Sequence, residues 1–273
     1  MSHTDAETLA RELLSAYETG RTVAVLPSAR PGFDLNMAYE VEAALKQFRE
    51  AGGHKAVGRK VGYANKAMWR VLKLETLVWA HMYEDTVQRS GSNSATLTLP
   101  NRRSLKIEPE IVFSLKRAIT AEGLDATAAL ESTEWLAMGF EIIDCPFPEW
   151  NFQPSDFVAS FGLHAALVIG EQFQVKPDLI ATLVDELPRF KVRVSKNGEF
   201  VEEGSGRNSL RSPALCLAEL GAALVRRFLS EPLSAGEIVS SGTLTAGHST
   251  DSGDLWKVEL EGLALPPLTL RLT

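Results

Sequence analysis

The stretch Lys106-Ile107-Glu108-Pro109-Glu110-Ile111-Val112-Phe113, KIEPEIVF, fixes both the strand character of this chain and the position of its chemistry. Ile107, Ile111, Val112 and Phe113 make it an apolar strand, and Glu108 and Glu110 stand at i and i+2 within it. On a strand those two side chains leave the same face, roughly 6.5–7 Å apart at the backbone. Two carboxylates on one face of an apolar strand repel each other and are costly to desolvate. A hard divalent cation such as Mg²⁺ or Mn²⁺ removes that cost by coordinating their oxygens. The competing reading is a solvated acidic edge strand.

A third acid strengthens the metal reading. In LAMGFEIID (136–144), Glu141 is flanked by apolar residues and faces the same way as Gly139 and Ile143, whereas Asp144 falls on the opposite face. A lone acid in such a run needs a basic side chain or a metal as partner. Three carboxylates without an accompanying histidine fit an oxygen-only site and not zinc. The five histidines show no ligand spacing among themselves. Lys60, between glycines in GRKVGY, is a base, an acid, a carboxylate anchor or an ordinary exposed lysine on spacing alone. Glu84 and Asp85 follow a strand in HMYEDTV and read otherwise as a solvated turn. SSGTLTAG (240–247) is small and hydroxyl-rich, so a substrate can approach its backbone closely; its plainer reading is a tight bend. A GxSxG elbow, a Walker loop and a GxGxxG fingerprint are absent.

Around these segments the pattern is α+β. Ala6, Leu9, Leu13 and Tyr17 recur at helical spacing up to Gly20, with Thr4 and Glu7 placed for a capping box. Asp34 caps a second helix striped by Met37, Val41, Leu45 and Phe48 and ended by Gly52-Gly53. From residue 56 strands dominate: AVGRKVGY, TLTL (96–99), the two acidic strands, AALVIG, FKVRVSKNGEFVEEG with a hairpin at Asn197-Gly198, and VELEGLALPPLTLRL. One late helix is expected over Pro213–Phe228. Strands and helices do not alternate as in a doubly wound sheet, so antiparallel or mixed sheets are expected.

Composition sets the class. The 273 residues are 45% hydrophobic and 23% charged, enough for one large domain with its own core. A net charge of −7 and no basic patch argue against a nucleic-acid surface. No apolar run approaches the roughly 20 residues of a membrane span, and the N-terminus lacks a signal-peptide layout. Cys145 and Cys216 show no motif spacing and read as buried thiols of a reducing compartment; a cytoplasmic protein is expected.

In this order, GRKVGYANKAM, YEDTV, KIEPEIVF, GFEIID, GSGRNSLRSPALCLAEL and LSAGEIVSSGTLTA resemble the 2-keto-4-pentenoate hydratase and 4-oxalocrotonate decarboxylase group of the fumarylacetoacetate hydrolase superfamily. The resemblance covers nearly the whole chain. It implies a mixed β-sandwich roll over residues 56–273 carrying an N-terminal helical extension over 1–55. It also implies Mg²⁺ or Mn²⁺ on Glu108, Glu110 and Glu141, with Lys60 and Asp85 as acid and base groups. Ser160, Leu163, His164, Thr243 and Thr245 would then line the substrate. The implied reaction adds water to a 2-hydroxy-2,4-dienoate and yields a 4-hydroxy-2-oxo acid, in the breakdown of aromatic compounds. Decarboxylation of a 2-oxo acid and hydrolysis of an acylpyruvate are the alternatives on the same metal site. A homo-oligomer is expected, as is a complex with a related hydratase or decarboxylase subunit.

Two departures bear on the substrate. ASFGLHA (159–165) stands where the group has a stretch like ADNAS, which replaces polar contacts by Phe161 and Leu163 and brings in His164. Asp144-Cys145-Pro146-Phe147-Pro148 replaces a stretch that commonly carries Ser-Arg.

Overall fold

The computed structural model describes residues 3–99, 103–227 and 230–273. In chain order it contains α1 (His3–Thr19), α2 (Leu35–Ala51), β1 (Ala56–Gly62), α3 (Ala67–Leu72), β2 (Val78–Tyr83), β3 (Val87–Arg89), β4 (Ser94–Leu97), β5 (Leu105–Leu115), α4 (Ala126–Ser132) and β6 (Thr133–Asp144). There follow α5 (Pro154–Ala159), β7 (His164–Ile169), β8 (Phe173–Gln174), α6 (Ile180–Glu186), β9 (Lys191–Lys196), β10 (Glu199–Ser205), α7 (Pro213–Arg226), β11 (Ile238–Ser240), β12 (His248–Thr250), β13 (Leu255–Glu261) and β14 (Leu268–Leu272).

The long expected elements form where their patterns place them. Asp34 caps α2 by accepting from Met37 N at 2.9 Å, and Gly53 follows the helix at φ 88°. Asn197 (φ 54°) and Gly198 (φ 87°) turn the β9–β10 hairpin, both in the left-handed region that a type I′ turn requires. The strand expected at 96–99 instead spans Ser94–Leu97, set by its parallel pairing with β14. The expected late helix is described only to Arg226; Phe228 lies outside the described residues, as does the side chain of Thr4. Helices α3 to α6 have no counterpart in the sequence reading. Each is only six or seven residues long, too short for an apolar period to emerge.

A nine-stranded sheet runs β2-β1-β11-β5-β6-β7-β3, with β12 on β5 and β8 on β6. A second sheet runs β10-β9-β13-β14-β4. Pairings β1–β11, β3–β7 and β14–β4 are parallel and the rest antiparallel, so both sheets are mixed. Alternation along β5 and β6 divides the large sheet into two faces. One carries Ile107, Ile111, Phe113, Met138, Phe140 and Ile142 into the main core, which also takes the apolar stripes of α1 and α2. The other carries a separate small cluster of Met82, Val112, Trp135, Ala137, Leu167, Ile169 and Ile238. Glu108, Glu110, Glu141 and Lys60 lie on this second face, beside the small cluster.

The seam between β1 and β11 is tight. A Cβ at Gly58 would lie 1.8 Å from Ile238 O, so only glycine allows β11 to run beside β1 and carry Ser240 next to Lys60.

Candidate metal centre and its surroundings

Register brings the three carboxylates together. In the β5–β6 pairing Glu108 stands directly opposite Glu141, and Glu110 stands opposite Gly139. Cross-strand neighbours lie about 5 Å apart at Cβ, and the glycine leaves the space above Glu110 open. One oxygen from each of Glu108, Glu110 and Glu141 falls within 4.8 Å of the others. Glu110 and Glu141 are fully buried, and Glu108 is half-buried.

The surrounding polar groups hold the carboxylates unequally. Lys60 Nζ lies 2.9 Å from Glu141 Oε2, and His164 Nδ1 lies 2.8 Å from Glu141 Oε1. Glu110 Oε2 accepts from Ser240 Oγ at 2.6 Å and from Gly242 N at 2.7 Å. Glu110 Oε1 is buried and has no hydrogen-bond partner. Burial and the neighbouring carboxylates push Glu110 well above the usual range, and burial carries Glu108 up to about 7 against the pull of Lys60. Burial also works against the Glu141 anion, but Lys60 and His164 outweigh it and hold Glu141 below the usual value. Burial likewise opposes the Lys60 ammonium, and Glu141, Glu108 and Glu110 together hold its pKa above the ordinary lysine value.

Converging oxygens, an orphaned buried carboxylate oxygen and two acids that resist ionisation fit a hard divalent cation. Such an ion would take the place of the protons that Glu108 and Glu110 otherwise retain. Glu108, Glu110 and Glu141 would hold it. Their oxygen-only character suits Mg²⁺ or Mn²⁺.

The other expected site residues divide. Lys60 is at the cluster, with its ammonium 5.0 Å from the centre of the Phe157 ring. Asp85 is not, and this corrects its expected place beside Lys60. The residue opposite Lys60 on β2 is Ala80, and β2 continues to Tyr83 before the short 3₁₀ turn that carries Asp85. Both carboxylate oxygens of Asp85 are bound there by Arg49 Nη2, at 2.7 and 2.8 Å, and His54 Nδ1 lies 3.1 Å away. Glu84 and Asp85 do follow the end of the strand, and the turn gives the Asp85 carboxylate to Arg49 and His54.

Ser160 ends α5 with its Oγ buried and unpartnered, in the turn whose Gly162 packs against Lys60 Cδ and Ala80 Cβ. Gly162 has φ 59°, so a side chain there would be strained as well as crowded. Leu163 belongs to the main core, and Phe161 packs on Tyr17 at 4.5 Å between ring centres. His164 is at the cluster as a partner of Glu141, with Nε2 2.9 Å from Thr86 Oγ1. Thr86 donates its hydroxyl to Tyr83 O at 2.8 Å, so it is anchored to the end of β2. Thr243 and Thr245 spend their hydroxyls on the loop itself, donating to Thr245 O and Ala246 O. The same loop reaches the carboxylates through Ser240, Gly242 and Gly247, the last close enough that a Cβ would lie 3.0 Å from Glu108 Oε1. Sequence reading singled out this stretch but chose its threonines. Nothing in local sequence tells which hydroxyl turns toward Glu110, because that depends on β11 pairing with β5.

No family model matches the chain. It is 27% identical over 257 residues to 2-hydroxyhexa-2,4-dienoate hydratase of Comamonas testosteroni, covering 94% of each chain. It is 26% identical over 255 residues to 2-keto-4-pentenoate hydratase of Burkholderia vietnamiensis, covering 93% of each. Among solved structures, 4-oxalocrotonate decarboxylase from Pseudomonas putida G7, complexed with magnesium and adipate, superposes with a TM-score of 0.88 at 23% identity. That match covers 100% of this chain and 99% of the other. Fumarylpyruvate hydrolase from Pseudomonas aeruginosa, in complex with Mn²⁺ and pyruvate, follows with a TM-score of 0.59 at 16% identity over 80% of this chain and 89% of the other.

Proposed function

From a chain that has the fumarylacetoacetate hydrolase-like fold and resembles the 2-keto-4-pentenoate hydratase group along nearly its whole length, we propose a hydratase that depends on a divalent metal. Its substrate is a 2-hydroxy-2,4-dienoate and its product a 4-hydroxy-2-oxo acid, a step in the breakdown of aromatic compounds. The observation that carries this reading is the convergence of Glu108, Glu110 and Glu141 within 4.8 Å beside a buried lysine.

Mg²⁺ or Mn²⁺ on those three carboxylates would take up the substrate's carboxylate and 2-oxygen and stabilise negative charge on that oxygen. Lys60 is the proton carrier. Its ammonium is kept charged by the surrounding carboxylates and can deliver a proton to C5, while the proton released by the 2-hydroxyl recharges the lysine, giving a conjugated 2-oxo enoic acid. Water then adds its hydroxyl at C4 and its proton at C3. Ser160 Oγ is buried and unpartnered in the turn that packs on Lys60, which supports a role in holding the substrate or the attacking water. His164 and Ser240 hold Glu141 and Glu110 in place.

A second reading is decarboxylation of a 2-oxo acid. It is favoured by the binding of Asp85 to Arg49 and His54, because a distal carboxylate that leaves as CO₂ passes its electron pair into a dienolate, and the single protonation that follows needs only Lys60. Absorbance decay of a 2-hydroxy-2,4-dienoate and of a 2-oxo-3-enedioate, each with and without Mg²⁺ and with CO₂ release followed, tests both. Metal-dependent decay of the dienoate without CO₂ is expected; CO₂ release in step with decay of the enedioate would replace hydration by decarboxylation. Decay that is indifferent to metal would end both readings.

We further take residues 1–55 as an extension docked on a catalytic domain of 56–273. In support, α1 and α2 contribute their apolar stripes to the shared core and Val23 N donates to Pro146 O. The buried free thiols of Cys145 and Cys216 suit a cytoplasmic setting. No helix among the described residues is long and apolar enough to cross a membrane. A homo-oligomer, alone or with a related subunit, belongs to the same reading, and the mass in solution tests it.

A further inference from the structure

We infer that Lys106 is a second anion-binding point of this site, reading a carboxylate at the far end of the substrate, so that the acid taken best is a diacid. The inference rests on the metal-chelation reading above and adds the chemical class of the substrate's tail.

Lys106 and Glu108 are i and i+2 on β5 and share a face of the strand. Glu108 is paired with Glu141 and Lys106 with Ile143, so Lys106 stands one rung along the same face from the carboxylate cluster. One rung is about 6.7 Å, which an extended dienoic acid can span between the carboxylate at one end and a group at the other. Lys106 and Glu108 attract each other, yet no salt bridge forms between them. Among the described residues no carboxylate lies within ion-pair distance of the Lys106 ammonium.

The lysine is nevertheless held in place. Its ammonium lies 4.1 Å from the centre of the Trp150 ring. Trp150 in turn donates from Nε1 to Ser104 Oγ at 2.8 Å. The turn that presents Trp150 has two consecutive non-glycine residues in the left-handed region, Glu149 at φ 55° and Trp150 at φ 56°. Such a conformation is strained and persists only where surrounding contacts enforce it. The rings of Phe147, Phe152 and Phe157 follow one another at 6.3 and 6.4 Å between centres. Phe157 lies under the Lys60 ammonium. Each of the two ammonium groups is therefore held over a ring, Lys106 on Trp150 and Lys60 on Phe157. Lys60 is paired with Glu141, whereas Lys106 has no carboxylate partner among the described residues and is open to an incoming anion.

Titration calorimetry on the full chain with Mn²⁺ tests this with 2-oxoadipate, a diacid, and 2-oxohexanoate, its monoacid counterpart. Both acids should require Mn²⁺, and the diacid should bind roughly tenfold tighter or more, as expected for a charge-assisted contact. Lys106→Met should abolish the preference without weakening the binding of Mn²⁺ or of 2-oxohexanoate, and Lys106→Arg should retain it. Equal affinity for the two acids in the wild type, or a preference that survives Lys106→Met, overturns the assignment of Lys106 alone. Binding of both acids that is indifferent to Mn²⁺, or binding of neither, overturns the chelation reading and this inference with it.

Discussion

Lys60 on β1 and Glu141 on β6 form a fully buried ion pair at 2.9 Å, although β11 and β5 lie between their strands. The pair ties the proton carrier to one of the three carboxylates that would hold the cation. Removing either partner therefore has separable effects on metal affinity and on turnover.

Lys60→Met should lower kcat by about 10²–10⁴-fold, the usual contribution of a positioned acid or base. It should not weaken Mn²⁺ binding, since one competing cation is gone from Glu141. Steady-state kinetics with a Mn²⁺ titration checks both, and a variant with near-normal kcat would remove Lys60 from the chemistry.

Glu110→Gln keeps the shape of the side chain but removes the charge that Ser240 and Gly242 orient. Metal affinity should fall by more than about 100-fold, beyond the loss typical of groups that only support a ligand. Calorimetry with Mn²⁺ reads this directly. Unchanged affinity would place the cation elsewhere.

Asp85→Asn should leave kcat within about threefold of the wild type, because Asp85 is held by Arg49 and His54 and not by the site. Its effect should appear in thermal stability, by about 1 kcal/mol or less for a half-exposed ion pair. A loss of activity of a hundredfold or more would contradict this placement.

The metal-free protein should lose stability as pH rises. Glu108 has a folded pKa of about 7 against an ordinary 4.5, and burial raises Glu110 as well. Between those values the folded state binds protons that the unfolded chain has released, so stability falls through this interval and is greatest at its acid end. Thermal unfolding at about pH 5.5 and about pH 7.5 should show the fall, and saturating Mn²⁺ should reduce it. If Glu108→Gln leaves the slope untouched, the slope has another origin.

Gly58→Ala should destabilise the protein by about 2–3 kcal/mol, the range of an overpacked core position, because the new Cβ would meet Ile238 O at 1.8 Å. Activity per folded molecule should fall too, since β11 carries Ser240 to Glu110. Denaturant unfolding and specific activity measure the two effects. A neutral substitution would mean that the β1–β11 seam yields more easily than its geometry allows.

Much of this was legible in local sequence because period and spacing are local properties. The alternation in KIEPEIVF places Glu108 and Glu110 on one face whatever the strand pairs with, and LAMGFEIID does the same for Glu141. Asp34, Gly53 and the Asn197-Gly198 turn act within a few residues of themselves. Short helices such as α5 escaped notice because one or two turns carry no detectable period.

The sequence by itself determined that three carboxylates and a lysine sit on apolar strands, a costly arrangement that calls for a cation. Only the tertiary structure decided which side chains meet. The Glu108–Glu141 register, the parallel entry of β11 beside Lys60, the pairing of Asp85 with Arg49 and the turn that seats Trp150 on Lys106 are all long-range outcomes. Each depends on strands far apart in sequence finding a common sheet. A one-residue slip in any of those pairings would turn the side chains to the other face, with no change in the local pattern.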